Sequence, residues 1–244
     1  MEINKNFKLQ KIDYPYDIWI IDNFLTEKIL QRIKLSWLQI DKSKWHTGYD
    51  VVNGKENFLE KGMKAISDLT KMPLYLQDIM KYFHSDSFTE EIYNITRIKN
   101  LISDETMRWA GLRIMEPNSY QLIHSDARKH PYNILTKELT CLYYLNDDYI
   151  KTINEGCLEV WDDTMTVKTH EIEPIDNRLI IFVNSETSYH GVPKVLKERK
   201  AITFSIMSTN SSSERSKALF VARPDDPQEI NSLGIERSKI NDKK

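Results

Sequence analysis

Histidine and aspartate stand two residues apart at two places in the sequence, and such a pair could bind a metal ion. The first pair is His84 with Asp86 and the second is His124 with Asp126. A match of this kind arises readily by chance among six histidines, so the surrounding pattern must decide between the two copies. His84 ends a helical pattern and Asp86 falls where the next helix needs a cap, which favours a structural role for the first pair.

The second pair follows a β-like run, Tyr120–Ile123. Because residues i and i+2 of a strand face the same side, His124 and Asp126 would present an imidazole and a carboxylate side by side. A further histidine, His190, follows the strongly β-forming segment Leu179–Val183 and the turn after it. Two histidines and one carboxylate on one face form the open-sided site typical of non-haem Fe(II) oxygenases. We therefore predict that these three residues bind Fe(II).

A candidate anion-binding residue comes nine residues after His190. It is Arg199, at the start of the apolar strand pattern Ala201–Phe204. A guanidinium is always protonated and can bind a carboxylate through two parallel hydrogen bonds. Arg199 is therefore expected at the floor of the metal pocket. Lys200 is the alternative, although alternation along the strand would point it to the opposite face.

The ordered set His124, Asp126, His190 and Arg199 resembles the Fe(II)/2-oxoglutarate-dependent oxygenases, specifically their prolyl 4-hydroxylase-like branch. The resemblance covers roughly residues 108–208. Further segments are similar to the family's strands and turns and to its opening motif: Thr140–Asn146, Glu155–Val160, Glu173–Phe182, Tyr189–Val195 and Asp22–Leu25. Two departures affect the cosubstrate pocket. Cys157 stands where a second glycine is common, and Arg113–Ile123, although it contains Tyr120, lacks a tyrosine at the place where some prolyl hydroxylases use one to hold 2-oxoglutarate.

The resemblance implies a 2-oxoglutarate-dependent dioxygenase that acts as a hydroxylase. Its catalytic residues would be the three iron ligands, and Arg199, Tyr144 and Thr203 would bind the 2-oxoglutarate. O2 would convert this cosubstrate to succinate and CO2 while a substrate C–H bond becomes an alcohol. The carboxylate of Asp126 favours hydroxylation, because family halogenases have a small residue at that place. Whether ascorbate is also needed stays open.

The substrate is harder to predict. A prolyl residue of a protein or peptide is the leading hypothesis, and a free amino acid, a sugar or another small metabolite is the alternative, since one scaffold can serve many substrates. From a different class comes a non-catalytic jelly-roll module that binds a metal or a carbohydrate. We predict Arg128, His130 and Trp161 at the rim of the substrate site.

The elements that must position these residues change character near residue 106. Before it, a short strand at Asp17–Ile21 precedes helical patterns over 29–40, Phe58–Leu69, Pro73–Phe83 and Ser87–Ile98, the last opening with the capping-box pattern Ser87-x-x-Glu90. After it, β-rich runs alternate with turn-formers: Ala110–Met115, Tyr120–Ile123, Leu139–Leu145, Leu158–Trp161, Leu179–Val183 and Ala201–Met207. Glu116–Asn118 is one of the predicted turns.

This pattern predicts a mostly β (α+β) chain, a double-stranded β-helix or jelly roll buttressed by N-terminal helices. We predict one oxygenase domain over residues 1–207, with helical support in 1–105 and the β-helix core in 106–207. Residues 208–244 are predicted to be a polar C-terminal tail, mostly mobile or loosely docked.

Composition limits the remaining classes of function. The net charge is −2 and no long basic stripe is present, so we expect no nucleic-acid binding. The apolar runs are far too short to cross a bilayer, and the polar start offers no signal-peptide core. Only Cys141 and Cys157 are present, which predicts a cytoplasmic protein without a disulfide framework.

Overall fold

The structure, a computed structural model, describes residues 3–46, 51–52, 55–56, 59–210 and 213–226. Its helices are α1 (Glu27–Trp37), α2 (Leu74–Phe83), α3 (Asp86–Thr96) and the short α4 (Lys151–Asn154), with 3-10 turns at Lys42–Lys44 and Leu69–Lys71. Its strands are β1 (Lys8–Ile12), β2 (Ile18–Asp22), β3 (Val51–Val52), β4 (Lys55–Glu56), β5 (Glu60–Ile66), β6 (Leu101–Ile102), β7 (Gly111–Ser125), β8 (Thr136–Tyr144), β9 (Leu158–Trp161), β10 (Lys168–Ile172), β11 (Leu179–Val183), β12 (His190–Val192), β13 (Arg199–Ser208) and β14 (Leu219–Val221). None of the described helices is long and apolar enough to span a membrane.

Twelve of the strands form one antiparallel sheet. The order along its main path is β1-β2-β11-β8-β13-β7-β12-β9-β10, while β5 and β14 also pair with β7, and β6 pairs with β13. β3 and β4 pair only with each other. The mostly β jelly-roll architecture predicted from the sequence is confirmed, with β7 at the point where the most strands meet.

Both faces of the central strands are buried, and the residues alternate between them as strand geometry requires. In β2, Trp19 and Ile21 pack with the helices, whereas Ile18 and Ile20 pack on the opposite face. Tyr143 and Tyr144 of β8 also lie on opposite faces, and so do successive residues of β11 and β13. The apolar face formed by α1, α2 and α3 therefore supports one side of the sheet and leaves the other side for a site.

The helix predicted over Phe58–Leu69 is wrong. Its described part contains β5, which pairs with β7 in two registers on either side of Gly62. Gly62 has φ +70°, and a Cβ there would lie 2.2 Å from Ser119 Oγ. Pairing with a long neighbouring strand outweighs the weak helical pattern, and the glycine further disfavours a helix.

The turn predicted at Glu116–Asn118 is also wrong, because β7 runs on through it as a single strand. Pro117 has no N–H for a sheet ladder, and Asn118 adopts φ +73°. These residues produce the irregularity opposite Gly62 rather than a chain reversal. The two predicted strands on either side of the turn are therefore halves of β7.

The capping box predicted at Ser87 lies two residues too late. α3 begins at Asp86, and the side chain of Ser85 accepts a hydrogen bond of 3.2 Å from Phe88 N. Ser85 therefore caps the helix, while the N-cap of α2 is Pro73. His84 lies between the two helices and is buried, in agreement with a structural role for the first His-x-Asp pair.

The predicted domain boundaries stay a prediction, but the structures of the N-terminal support and of the C-terminal tail differ from what was predicted. The N-terminal support is not only helical, since it adds β1, β2, β5 and β6 to the main sheet. The described part of the predicted tail adds β14, which pairs with β7. Three-residue strands of this kind depend on their distant partners and leave almost no local pattern.

Candidate metal centre and cosubstrate pocket

The three predicted metal ligands meet on the helix-free side of the sheet. His124 lies at the end of β7, Asp126 follows directly after that strand, and His190 opens β12 as the direct antiparallel partner of His124. One ligand atom from each residue lies within 4.8 Å of the other two. His124 Nε2 is 3.6 Å from Asp126 Oδ1. The prediction that these side chains lie together agrees with this arrangement.

Backbone carbonyls orient both imidazoles. Nδ1 of His124 lies 3.0 Å from the carbonyl oxygen of Leu122, and Nδ1 of His190 lies 3.0 Å from that of Ser188. Each Nδ1–H therefore donates, which leaves Nε2 as the available ligand atom. Burial, together with the neighbouring His190, lowers the pKa of His124 to about 3. Burial also lowers the pKa of His190, so both rings are neutral and can bind a metal.

The carboxylate of Asp126 is held by its second oxygen. Oδ2 accepts hydrogen bonds from Lys137 Nζ at 3.1 Å and from Thr140 Oγ1 at 2.9 Å. Burial by itself would raise the pKa of Asp126, but Lys137 and the two imidazoles outweigh it and hold that pKa well below its usual range. The group is therefore an ionised carboxylate with Oδ1 on the side of His124.

Sequence reasoning missed Lys137. Strict alternation along β8 would place it with Leu139 and Tyr143 on the face covered by the helices. The pairing of β8 with β13 is irregular between Ile206 and Met207, and Lys137 lines the metal cavity instead. Only the three-dimensional pairing reveals this bulge, so the sequence carried no signal for the change of face.

A cavity of about 220 Å³ is lined by the three proposed metal ligands and by Arg199. Arg199 is 8% exposed, and its Nη2 donates a 2.8 Å hydrogen bond to Tyr144 Oη. Its Nη1 lies 3.6 Å from Met115 Sδ, and its Nε has no partner among the described residues. No described acidic side chain pairs with this buried cation. Because buried charges are normally paired, the arrangement fits a ligand that carries a carboxylate.

The two other predicted cosubstrate residues are placed differently from each other. Thr203 lines the cavity on the same strand as Arg199, with Oγ1 3.4 Å from the carbonyl oxygen of Gly111. Tyr144 is fully buried behind Arg199 and is not among the cavity-lining residues. Its hydroxyl and its ring, 4.8 Å from the guanidinium carbon, contact Arg199 instead.

None of the three predicted rim residues lines this cavity. Arg128 is buried and pairs with Glu186 at 3.2 Å. His130 is buried with Nε2 3.6 Å from Asp104 Oδ1, and Trp161 packs in a small apolar cluster. Their contacts are structural, and a role in substrate binding stays an unsupported prediction.

The cavity wall also contains polar residues that the sequence did not single out. Gln121 Nε2 donates a 2.5 Å hydrogen bond to Glu60 Oε1, and both residues line the cavity with Arg113. Burial, with a further contribution from Asp126, raises the pKa of Glu60. Glu60 belongs to the strand for which a helix was predicted, so sequence analysis could not place it at the site.

Comparison with known proteins agrees with this geometry. Residues 110–207 match the model of the 2OG-Fe(II) oxygenase superfamily. No curated protein matches the sequence.

The structure resembles a prolyl hydroxylase from Trichoplax adhaerens, solved in complex with a hypoxia inducible factor peptide, at 20% identity and TM-score 0.58 over 78% of this chain and 83% of that one. It resembles a Pseudomonas putida prolyl-4-hydroxylase at 13% identity and TM-score 0.58, over 78% and 92%. It also resembles HygX from Streptomyces hygroscopicus, solved with nickel, 2-oxoglutarate and hygromycin B, at 10% identity and TM-score 0.51, over 80% and 84%. At these identities the likeness concerns the fold.

The family match over residues 110–207 thus agrees with the sequence resemblance. The chain is a dioxygenase whose cofactor is Fe(II) and whose cosubstrates are 2-oxoglutarate and O2. The prediction of an enzyme, rather than of a non-catalytic jelly-roll module, is confirmed.

Proposed function

We propose that His124, Asp126 and His190 bind the catalytic Fe(II). The observation that carries this assignment is the convergence of their three ligand atoms within 4.8 Å of one another. The donor chemistry agrees, because neutral imidazole nitrogens and one carboxylate oxygen are the set used by non-haem Fe(II) oxygenases. Iron bound there would supply the redox chemistry that couples oxidative decarboxylation of 2-oxoglutarate by O2 to hydroxylation of a C–H bond.

Arg199 and Thr203 are proposed to bind the distal carboxylate of 2-oxoglutarate. The guanidinium is buried and has no acidic partner among the described residues, and its Nε is free to donate. Tyr144 is proposed to act one step away, since its hydroxyl accepts from Nη2 and fixes the plane of the guanidinium. Such a fixed planar donor set suits a carboxylate in a largely desolvated pocket.

The chain's own groups prepare the site in two further ways. Lys137 and Thr140 occupy Oδ2 of Asp126, so that Oδ1 is the oxygen available to the metal. Apolar side chains line the cavity between the metal ligands and Arg199: Leu142, Leu158, Val192 and Ala201. They limit the access of water, which strengthens the interaction between a ligand carboxylate and Arg199.

For the substrate, a prolyl residue of a protein or peptide is the leading proposal. Its support is the shared fold with the two prolyl hydroxylases, one of them solved with a peptide bound. A small metabolite is the second candidate, supported by the shared fold with HygX and its bound hygromycin B. The polar group formed by Glu60, Gln121 and Arg113 could serve either class by binding donors or acceptors next to the reacting C–H.

The test is reconstitution of the purified chain with Fe(II) and 2-oxoglutarate under air, with succinate as the first readout. Asp126→Ala should abolish succinate release, and a normal rate from this variant would refute the iron assignment. Mass spectrometry of a proline-containing peptide library and of a metabolite mixture then identifies which class gains one oxygen atom. Oxygen gain confined to the metabolites would replace the prolyl proposal with the second one.

A further inference from the structure

A short strand near the end of the described chain lies directly against one proposed iron ligand. β14 pairs with β7 so that Phe220 is the partner of His124. Their rings stack with centroids 4.9 Å apart and planes 20° apart. The ring of His190 lies 4.2 Å away from the same imidazole, centroid to centroid. His124 therefore has His190 and Phe220 as cross-strand neighbours on two different strands.

Arg223, just beyond β14, connects β7 and β9 through hydrogen bonds near His124 and His190. Its Nη2 donates a 2.8 Å hydrogen bond to the carbonyl oxygen of Gln121 in β7, and its Nε donates a 2.7 Å bond to Glu159 Oε2 in β9. β12 lies between these two strands. Gly191 of β12 leaves room for the guanidinium, because a Cβ there would lie 3.1 Å from Arg223 Nη2.

The chain before β14 is anchored beside the same ligands. Arg215 donates to Ser125 Oγ, and Ser125 lies between the proposed ligands His124 and Asp126. The carbonyl oxygen of Arg215 accepts hydrogen bonds of 2.9 Å from the backbone nitrogens of Arg128 and Lys129. Its guanidinium also pairs with Glu186. The segment is thus attached before and after Phe220.

We propose that residues 213–226, which we name the C-terminal clasp, position the iron site, with Phe220 as the residue that orients His124. The inference rests on the proposed function, since it takes His124 as an iron ligand. The hydrogen bond from Nδ1 to Leu122 fixes one point of the imidazole, and the stacked ring of Phe220 restricts its rotation about that point. A ligand that is already oriented loses less freedom when the metal binds.

Phe220 is therefore a positioning residue that acts through His124. Groups behind a metal ligand typically change metal affinity about 10–100-fold when they are removed. The ring of Phe220 stacks on the ligand but makes no hydrogen bond, so the expected loss lies near the lower end, about tenfold. An apolar side chain without a ring should recover only part of this effect.

The experiment is calorimetric titration of the metal-free full chain with Co(II), a redox-stable probe for the iron site. Phe220→Ala should raise the Kd about tenfold, Phe220→Leu by less, and Phe220→Tyr should stay within about twofold of the wild type. Leu219→Ala is the matched control, because Leu219 lies on the same strand but packs against the Trp161 cluster. It should stay within about twofold of the wild type.

Thermal unfolding of each metal-free variant separates positioning from loss of fold. The proposal is overturned if folded Phe220→Ala binds Co(II) as the wild type does, or if Leu219→Ala weakens binding equally. If Phe220→Ala does not fold, wild-type affinity in Phe220→Leu overturns it. Failure of the proposed function looks different, because the wild type itself would then bind no Co(II), or His124→Ala would bind it unchanged.

Discussion

Lys137 is predicted to stabilise the metal-free protein while competing with the metal for Asp126. Its ammonium lies 3.1 Å from Asp126 Oδ2, and the two side chains are 5% and 18% exposed. Lys137→Met removes the cation and leaves Thr140 as the donor to that oxygen. Loss of one partner from a buried ion pair costs about 3–5 kcal/mol. Because Asp126 keeps some exposure, we expect about 3 kcal/mol less stability for the metal-free variant.

The same substitution is expected to tighten metal binding. A bound divalent cation supplies the positive charge that the carboxylate of the variant lacks, so most of the penalty falls on the metal-free state. In a thermodynamic cycle, the difference between the destabilisation of the metal-free state and that of the metal-bound state equals the gain in metal-binding free energy. With about half of the penalty recovered, roughly 1.4 kcal/mol, the Kd for Co(II) should fall about tenfold.

Urea unfolding of the metal-free proteins gives the stabilities, and calorimetric titration with Co(II) gives the affinities. Lys137→Arg is the matched control, since it keeps the charge and should resemble the wild type in both measurements. A loss of stability below about 0.5 kcal/mol would be typical of an ordinary surface substitution and would refute the buried-pair argument. Weaker Co(II) binding by Lys137→Met would refute the competition argument.

Three further predictions concern the cosubstrate pocket and the supporting elements. Arg199→Met should raise the KM for 2-oxoglutarate about 100-fold in the succinate assay, because a charge-assisted bidentate contact of about 3 kcal/mol is lost. The Co(II) affinity should stay near the wild-type value. An equal loss of 2-oxoglutarate binding and of Co(II) binding would refute a cosubstrate role. Ser85→Ala should lower the free energy of unfolding by about 1 kcal/mol in urea through loss of the α3 cap, and no change would show that the cap contributes nothing. Gly62→Ala should cost about 2 kcal/mol in the same measurement, because φ is +70° and the new Cβ would meet Ser119 Oγ; a neutral result would mean that the bulge relaxes freely.

The convergence of the three proposed metal ligands could be predicted from short-range geometry and from the order of motifs along the chain. His124 lies at the end of β7, Asp126 follows one residue after that strand, and His190 opens the strand that pairs with β7. Arg199 and Thr203 face the same cavity because they are separated by an even number of residues on β13. Alternation and the order of motifs along the chain were sufficient for these residues.

The residues that were missed depend on long-range pairing that no local pattern encodes. Lys137 reaches the cavity through a bulge whose position is set by β13. Glu60 reaches it because β5 pairs with β7, although its own segment favoured a helix. Phe220 lies in a three-residue strand that exists only through its pairing with β7. Sequence analysis therefore identified the three residues that converge at the candidate metal site, but not the residues that contact and support them.

Register also explains why the metal geometry depends on the whole sheet. Directly opposed residues of an antiparallel pair have Cβ atoms about 4.5–5.5 Å apart, a separation at which two imidazoles can share one ion. His124 and His190 are opposed in this way. A shift of β12 by one residue would turn His190 to the other face and separate the two rings. The pairing of β12 with β7 therefore fixes the separation of the two proposed imidazole ligands.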